Sequence, residues 1–213
     1  MDYPKKLVVE VLEKAQGKAL TGFLTGQGSR NATLMLVGEA PGKIEIQTKI
    51  PFTGRSGKKL DVWLELADLK REDIYITSAV RNRPYKIVSS LDKKTGKLKE
   101  RRPNRAPTQQ EVWIHASLLD YEIQTVRPKI LAPMGNIGLK RLLGGKYKIA
   151  DIHGELMEST ILQVNQEKTT YENSAETYLI FPLYHPAAVF YNPALENLIE
   201  QDWEKLGHLV NNI

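Results

Sequence analysis

The residues best suited to chemistry stand at the ends of short apolar runs. Leu34–Val37 is uninterrupted and apolar, which reads as a buried strand, and it stops in Gly38-Glu39-Ala40-Pro41-Gly42. Two glycines and a proline make that stretch a tight turn with exposed backbone, and Glu39 is its carboxylate. A second run, Ile74–Thr77, ends at Ser78, and a later one, Thr177–Leu183, ends in Tyr184-His185-Pro186. In a parallel sheet such ends lie on one edge, where ligands bind. A carboxylate and an imidazole brought together there can do general acid–base work or stabilise developing charge. Phe52, in Pro51-Phe52-Thr53-Gly54, lies between residues that cannot continue a helix or a central strand. It suits a flat ligand better than a core. Taken singly, these pieces have plainer readings: a strand, a turn and a packed Phe for 34–54, a backbone-bonded loop histidine for His185, and no signal for Ser78 alone. His115 and His208 fall in helical patterns and His153 precedes a turn glycine, so all three read as structural.

Apolar spacing supplies the elements that must position these groups. It predicts helices over 5–15, Lys58–Ala67, Gln109–Val126, Ile137–Leu143 and Pro193–Val210. Thr108 with Glu111 forms a capping box at the start of the longest. Lys129–Ala132 and Glu158–Val164 read as further strands, the segment after Gly42 as a loop, and Asp92–Gly96 as a hairpin tip flanked by Val88, Leu91 and Leu98. Strands alternating with helices predict an α/β fold, a three-layer α/β/α sandwich around a mostly parallel central sheet. The length fits one domain over 1–213.

Composition narrows the function. The chain has no cysteine, which excludes disulfides, thiolate metal sites and a cysteine nucleophile. No apolar run approaches the ~18 residues of a membrane-spanning helix. Glu10 and Glu13 break the N-terminal apolar pattern, unlike a signal peptide. The expected setting is therefore the cytoplasm, with no membrane partner. Net charge is +5, but Arg81–Arg105 holds ten Lys/Arg against two acids, a net of +8, so the rest of the chain is −3. Basicity this local is the footprint of an anionic partner such as nucleic acid, although a solvated charged loop has the same composition.

An ordered set of motifs resembles one family. Gly38-Glu39-Ala40-Pro41-Gly42, Glu45, Ile50-Pro51-Phe52-Thr53-Gly54, Tyr75-Ile76-Thr77, Arg83-Pro84, Pro107-Thr108 with Glu111, Arg127-Pro128, His185-Pro186-Ala187-Ala188 and Asn192-Pro193 follow in the order and spacing of the uracil-DNA glycosylase superfamily. The chain is most similar to family four, the iron–sulfur type. The resemblance implies an enzyme that flips a nucleotide out of single- or double-stranded DNA and cuts its N-glycosidic bond, acting as a monomer. Glu39 would hold the attacking water and balance the cationic sugar. His185 would donate to the base as negative charge develops. Phe52 would stack on the flipped base, Gly38 and Ala40 would offer backbone groups beside it, and Glu45 would wall the pocket. Val189 and Phe190 would lie in the loop that wedges into the vacated stack. Arg81, Arg83, Lys93, Lys94, Lys97, Lys99, Arg101, Arg102 and Arg105 would contact DNA, most of them from a basic insertion at about 85–106.

The departures sharpen these expectations. The family's four cluster cysteines are replaced: Asn82 and His115 occupy the last two positions, and the first pair falls near Val11 and Lys14. No thiolate remains to hold a cluster, so no cofactor and no metal are expected. Ser78 replaces the family's base-reading Asn. An amide presents a donor and an acceptor in one plane, whereas a hydroxyl specifies less, so the base preference is open. Tyr191 stands where the family commonly has Arg. Two alternatives remain beside the glycosylase: a non-catalytic or altered-specificity DNA-binding relative and, less favoured by the basic segment, a small-molecule hydrolase. Retention of both Glu39 and His185 favours the enzyme.

Overall fold

The computed structural model describes residues 1–91 and 97–213. In chain order the elements are α1 (Lys5–Ala15), β1 (Leu20–Thr21), β2 (Gln27–Gly28), β3 (Leu34–Gly38), α2 (Lys43–Thr48), α3 (Arg55–Leu66), β4 (Tyr75–Ser78) and β5 (Arg83–Pro84). The hairpin strands β6 (Val88–Leu91) and β7 (Leu98–Arg101) follow, then α4 (Gln109–Val126), β8 (Ile130–Pro133), α5 (Asn136–Leu143), α6 (Ile149–Ile152), β9 (Met157–Val164), β10 (Tyr171–Ile180) and α7 (Glu196–Asn211).

The central sheet runs β2-β4-β3-β8-β10-β9. Its four inner strands are parallel neighbours, and the edges β2 and β9 are antiparallel. Side chains of β3 alternate across it, as a strand covered on both faces requires. Leu34 and Leu36 pack with Leu60 and Trp63 of α3 and with Trp203 and Leu206 of α7. Met35 and Val37 pack with Leu119 and Ile123 of α4 and Leu142 of α5. Each fully buried large apolar side chain contributes about 1.5–3 kcal/mol. This is the three-layer sandwich that the alternation of strands and helices predicts. α1 forms an outer layer, seating Val11 on Ile114 and Leu118 of α4 with Tyr3, Leu7 and Phe23 around them.

Some boundaries differ from expectation for local reasons. The segment after Gly42 is not a loop throughout: α2 forms there, closed by Lys49 in the left-handed region at φ 62°. α3 starts at Arg55 rather than Lys58, because Glu45 accepts the Gly54 N–H at 2.8 Å and caps the helix from outside. β10 begins at Tyr171, with a bulge between Asn173 and Thr177 that the β-rich run alone does not reveal. Among the described residues no helix is long and apolar enough to cross a membrane.

Candidate active site

The parallel order brings the chemistry-bearing strand ends to one edge. Gly38 at the end of β3 pairs with Ser78 at the end of β4, and Val37 pairs with Pro133 of β8. Beyond β10 the chain continues the sheet through a parallel bridge between Leu183 and Met134, so His185 leaves the same edge as Glu39 and Ser78. Gly135, at φ 86°, lies against His185: a Cβ there would sit 3.0 Å from the histidine Cβ. Phe52 also has positive φ, 54°, a conformation costly for an aromatic residue. Arg71 holds it, donating to the carbonyls of Pro51 at 2.9 Å and Phe52 at 2.7 Å while paired to Asp61 at 2.5 Å. The ring covers Gly38, where a Cβ would meet it at 2.7 Å, and its centroid lies 5.8 Å from the His185 ring. Gly38, Phe52 and His185 are thus gathered at one place, with Glu39 and Ala40 in the adjoining turn.

The protonation states follow from the surroundings. The Ala187 N–H donates to His185 Nδ1 at 3.1 Å, so in the neutral ring the proton sits on Nε2. Burial lowers the His185 pKa to about 4, against a smaller opposing pull from Glu45. The imidazole is therefore a neutral donor near pH 7. Burial also raises the Glu39 pKa, and its carboxylate has no hydrogen-bond or ion-pair partner among the described residues. A half-buried carboxylate unpartnered among the described residues and a neutral imidazole donor, leaving the same sheet edge, have functional rather than packing logic.

Several other candidates have different work. Ser78 Oγ donates to the Val80 carbonyl at 2.8 Å, so its lone pairs are what it offers a ligand. Glu45 staples the turn through Gly54 N–H. Arg81, expected on DNA, is 0% exposed: it pairs with Glu122 at 2.5 Å and donates to Tyr3 Oη and the Ser78 carbonyl. Glu122 also accepts from Tyr3 at 2.5 Å, Tyr75 at 3.0 Å, Thr77 at 2.5 Å and Gly26 N–H at 3.1 Å. This buried network fixes the end of β4, and the readable signal for it was a carboxylate on the apolar 118/122/126 stripe of α4. Arg83 is likewise buried, donating to Asn104 and the Arg102 carbonyl. Arg105 is committed to both oxygens of Glu111 and to Tyr85 O. Arg81 and Arg83 are buried and structural, which corrects their assignment to phosphates, whereas the Arg105 side chain keeps 25% of its surface exposed beside Glu111. Val189 is 5% exposed in the core and Phe190 packs against that core under the Arg55 guanidinium, 3.8 Å from its centroid. Val189 is therefore not free to wedge into DNA, and Phe190 is only partly exposed.

The residues at the cluster-ligand positions do not fit a thiolate-held group. His115 Nε2 and Asn82 Oδ1 are 2.7 Å apart, Asn82 also bonds Gly22 O, and Val11 lies in the α1–α4 core. No group of side chains suited to a metal ion occurs among the described residues. His153 pairs with Asp202 at 2.6 Å, in keeping with a structural role.

In the basic segment β6 and β7 pair antiparallel, with Val88 opposite Arg101, Ser90 opposite Lys99 and Leu91 opposite Leu98, and the hairpin tip expected at Asp92–Gly96 lies outside the described residues. Directly opposed residues share a face, which puts Lys99 and Arg101 together and Leu91 with Leu98 on the other side. Lys97, Lys99, Arg101 and Arg102 are exposed. Arg102 also pairs with Glu100 at 3.0 Å. Lys93 and Lys94 lie outside the described residues.

Residues 25–207 match the family model described as the uracil DNA glycosylase superfamily. The chain is 30% identical to a Type-4 uracil-DNA glycosylase of Sulfurisphaera tokodaii, over 98% of this chain and 86% of that protein. It is 30% identical to a Type-4 uracil-DNA glycosylase of Archaeoglobus fulgidus, over 90% and 84%. A DNA polymerase of Bacillus phage SP01 is 29% identical over 88% of this chain, which corresponds to 17% of the polymerase.

Proposed function

The chain belongs to the uracil-DNA glycosylase superfamily and is a DNA glycosylase, and from that premise we propose that it draws one nucleotide out of DNA and hydrolyses its N-glycosidic bond, releasing uracil or a modified base and leaving an abasic site. The observation that carries the reading is the Phe52 ring over Gly38 and 5.8 Å from the His185 ring, at the strand end that runs on into Glu39, a carboxylate unpartnered among the described residues. As the C1′–N bond breaks, its electron pair passes to the base and the sugar becomes cationic. His185 Nε2–H donates to the base oxygen where charge grows. Glu39 balances the sugar, orients the water whose oxygen bonds C1′ and accepts the proton that water loses, while the departing base anion takes up a proton from solvent. Phe52 stacks on the extruded base. Ser78 offers the base edge an acceptor only, which matches an N–H of uracil but leaves its second carbonyl unread. The base preference is accordingly broader than an amide would give. The protein acts as a monomer on DNA in the cytoplasm and uses no cofactor. The test is a panel of single- and double-stranded oligonucleotides carrying uracil, hypoxanthine, xanthine or 5-modified pyrimidines, scored for alkali-labile sites. A panel with no cleavage at all would leave the DNA-binding relative as the correct reading.

Two expectations arise from this reading. The first is a pH profile. The working form needs Glu39 ionised, and burial raises its pKa, so the acid limb of kcat/KM lies above the ordinary carboxylate range. His185 is already neutral down to about pH 4, so no inflection appears near pH 6.5. A limb near pH 6.5 that vanishes in His185→Ala would contradict this assignment.

The second concerns the hairpin. Lys99 and Arg101 on an exposed two-stranded ribbon act on phosphates and not on base identity. Neutralising both should lower affinity for any DNA sequence. It should also flatten the salt dependence of binding by up to about one unit for each phosphate left without its cation. The chemical step at saturating DNA should be unchanged. An unaltered salt slope would show that the ribbon carries charge without touching DNA.

A further inference from the structure

Arg55, the first residue of α3, is exposed and has no part in the mechanism above. Its guanidinium carbon lies over the Phe190 ring, 3.8 Å from the centroid. Among the described residues its N–H donors have no hydrogen-bond or ion-pair partner, and the first turn of α3 holds no acid. Lys59, one turn on, is by contrast paired with Glu196. A guanidinium on the face of an aromatic ring keeps its in-plane donors free, and that flat fork matches the oxygens of a phosphate. A cation already held by a ring also loses little freedom when it takes an anion. Two segments of the site fix its position. Gly57, two residues on, is pressed against Phe52, where a Cβ would run into the Phe52 carbonyl. Phe190 belongs to the turn after His185: the Ala187 N–H donates to His185 Nδ1, and the Ala187 carbonyl accepts the Phe190 N–H at 3.1 Å. Arg55 thus bridges the segment carrying Phe52 and the turn carrying His185.

We propose that Arg55 is a phosphate-binding residue, gripping one backbone phosphate of the DNA strand beside the withdrawn nucleotide, with Phe190 as the platform for its guanidinium. The inference rests on the glycosylase reading for DNA as the ligand, but it requires no bond cleavage. It differs in kind from the contact expected of the ribbon. Lys99 and Arg101 stand on a pair of strands away from the site motifs and meet whichever phosphate is near. Arg55 is fixed relative to Phe52 and His185, so it takes one phosphate in register with the withdrawn nucleotide.

The probes are duplexes with one tetrahydrofuran abasic analogue, each carrying a single uncharged methylphosphonate at one of the successive linkages on either side of it. Wild-type protein should bind about ten-fold more weakly when one particular linkage is neutral, the scale of a single charge-assisted contact. Arg55→Gln should bind the fully charged duplex about ten-fold more weakly and lose nothing further at that linkage, while responding to the other linkages as wild type does. Its salt dependence of binding should flatten by about one unit. Phe190→Leu keeps the charge and removes the ring, so it should show part of the same loss at the same linkage. An Arg55→Gln protein with wild-type affinity or an unchanged salt slope would overturn the proposal. So would one that keeps the wild-type loss at every linkage. A Phe190→Leu protein with the full wild-type response would overturn the part assigned to the ring. The analogue carries no base to excise, so this result stands apart from the activity. A wild-type protein that shows the coupling yet releases no base from the oligonucleotide panel would refute the glycosylase reading alone. One that releases base without the coupling would refute the Arg55 proposal alone.

Discussion

Replacing Glu39 with Gln lowers single-turnover base excision by about 10²-fold or more, the scale set by removing one preorganised electrostatic stabiliser. The substitution keeps the shape and removes the charge. In the folded protein this carboxylate has no cation or donor to satisfy it among the described residues, and burial already disfavours its ionised form. In the proposed mechanism its charge works in the transition state, where the sugar is cationic and desolvated, and an amide cannot replace it. His185→Ala should cost a similar factor for the complementary reason, since it removes the Nε2 donor that the Ala187 N–H contact fixes in place. DNA affinity should change little in either variant. A wild-type rate from either one removes that residue from the mechanism.

Glu122→Ala produces the largest loss of stability. The carboxylate serves Arg81, Tyr3, Tyr75, Thr77 and the Gly26 N–H at once, with both ionic partners 0% exposed. Removing it leaves a guanidinium buried without its counter-charge, which costs about 3–5 kcal/mol from a total that is typically about 5–15 kcal/mol. For a chain of this size thermal unfolding should drop by roughly 6–20 °C. Arg81→Met with Glu122→Leu should lose much less than the two single changes added together, because it removes both charges. Strict additivity would show that the pair is not coupled. Arg81 also holds the Ser78 carbonyl, so Glu122→Ala should loosen the end of β4 at Ser78.

Much of this was readable in the chain. The run Leu34–Val37 and its glycine-rich stop placed Glu39 at a strand end, and the Thr108–Glu111 capping box located the start of α4. Those signals are local, and local physics determines them. The roles of the arginines were not readable. Arg81 and Arg83 sit in the same basic stretch as Lys99 and Arg101, and only the fold separates those drawn inward to Glu122 and Asn104 from those left on the ribbon. Val189 and Phe190 have wedge-like chemistry, but their availability depended on Arg55 and the α3–α7 core, both distant in sequence. The helix at Lys43–Thr48 was missed because its caps come from Lys49 and the chain fold around Gly42, not from an amphipathic pattern.

The most direct test of the whole mechanism is single-turnover reaction of wild-type protein and Glu39→Gln with a uracil-containing oligonucleotide, measuring free base and abasic ends in the same sample. The wild-type protein should yield one free uracil for each abasic end, with both falling together by about 10²-fold or more in Glu39→Gln. Abasic ends without free base, or equal yields from the two proteins, would contradict it.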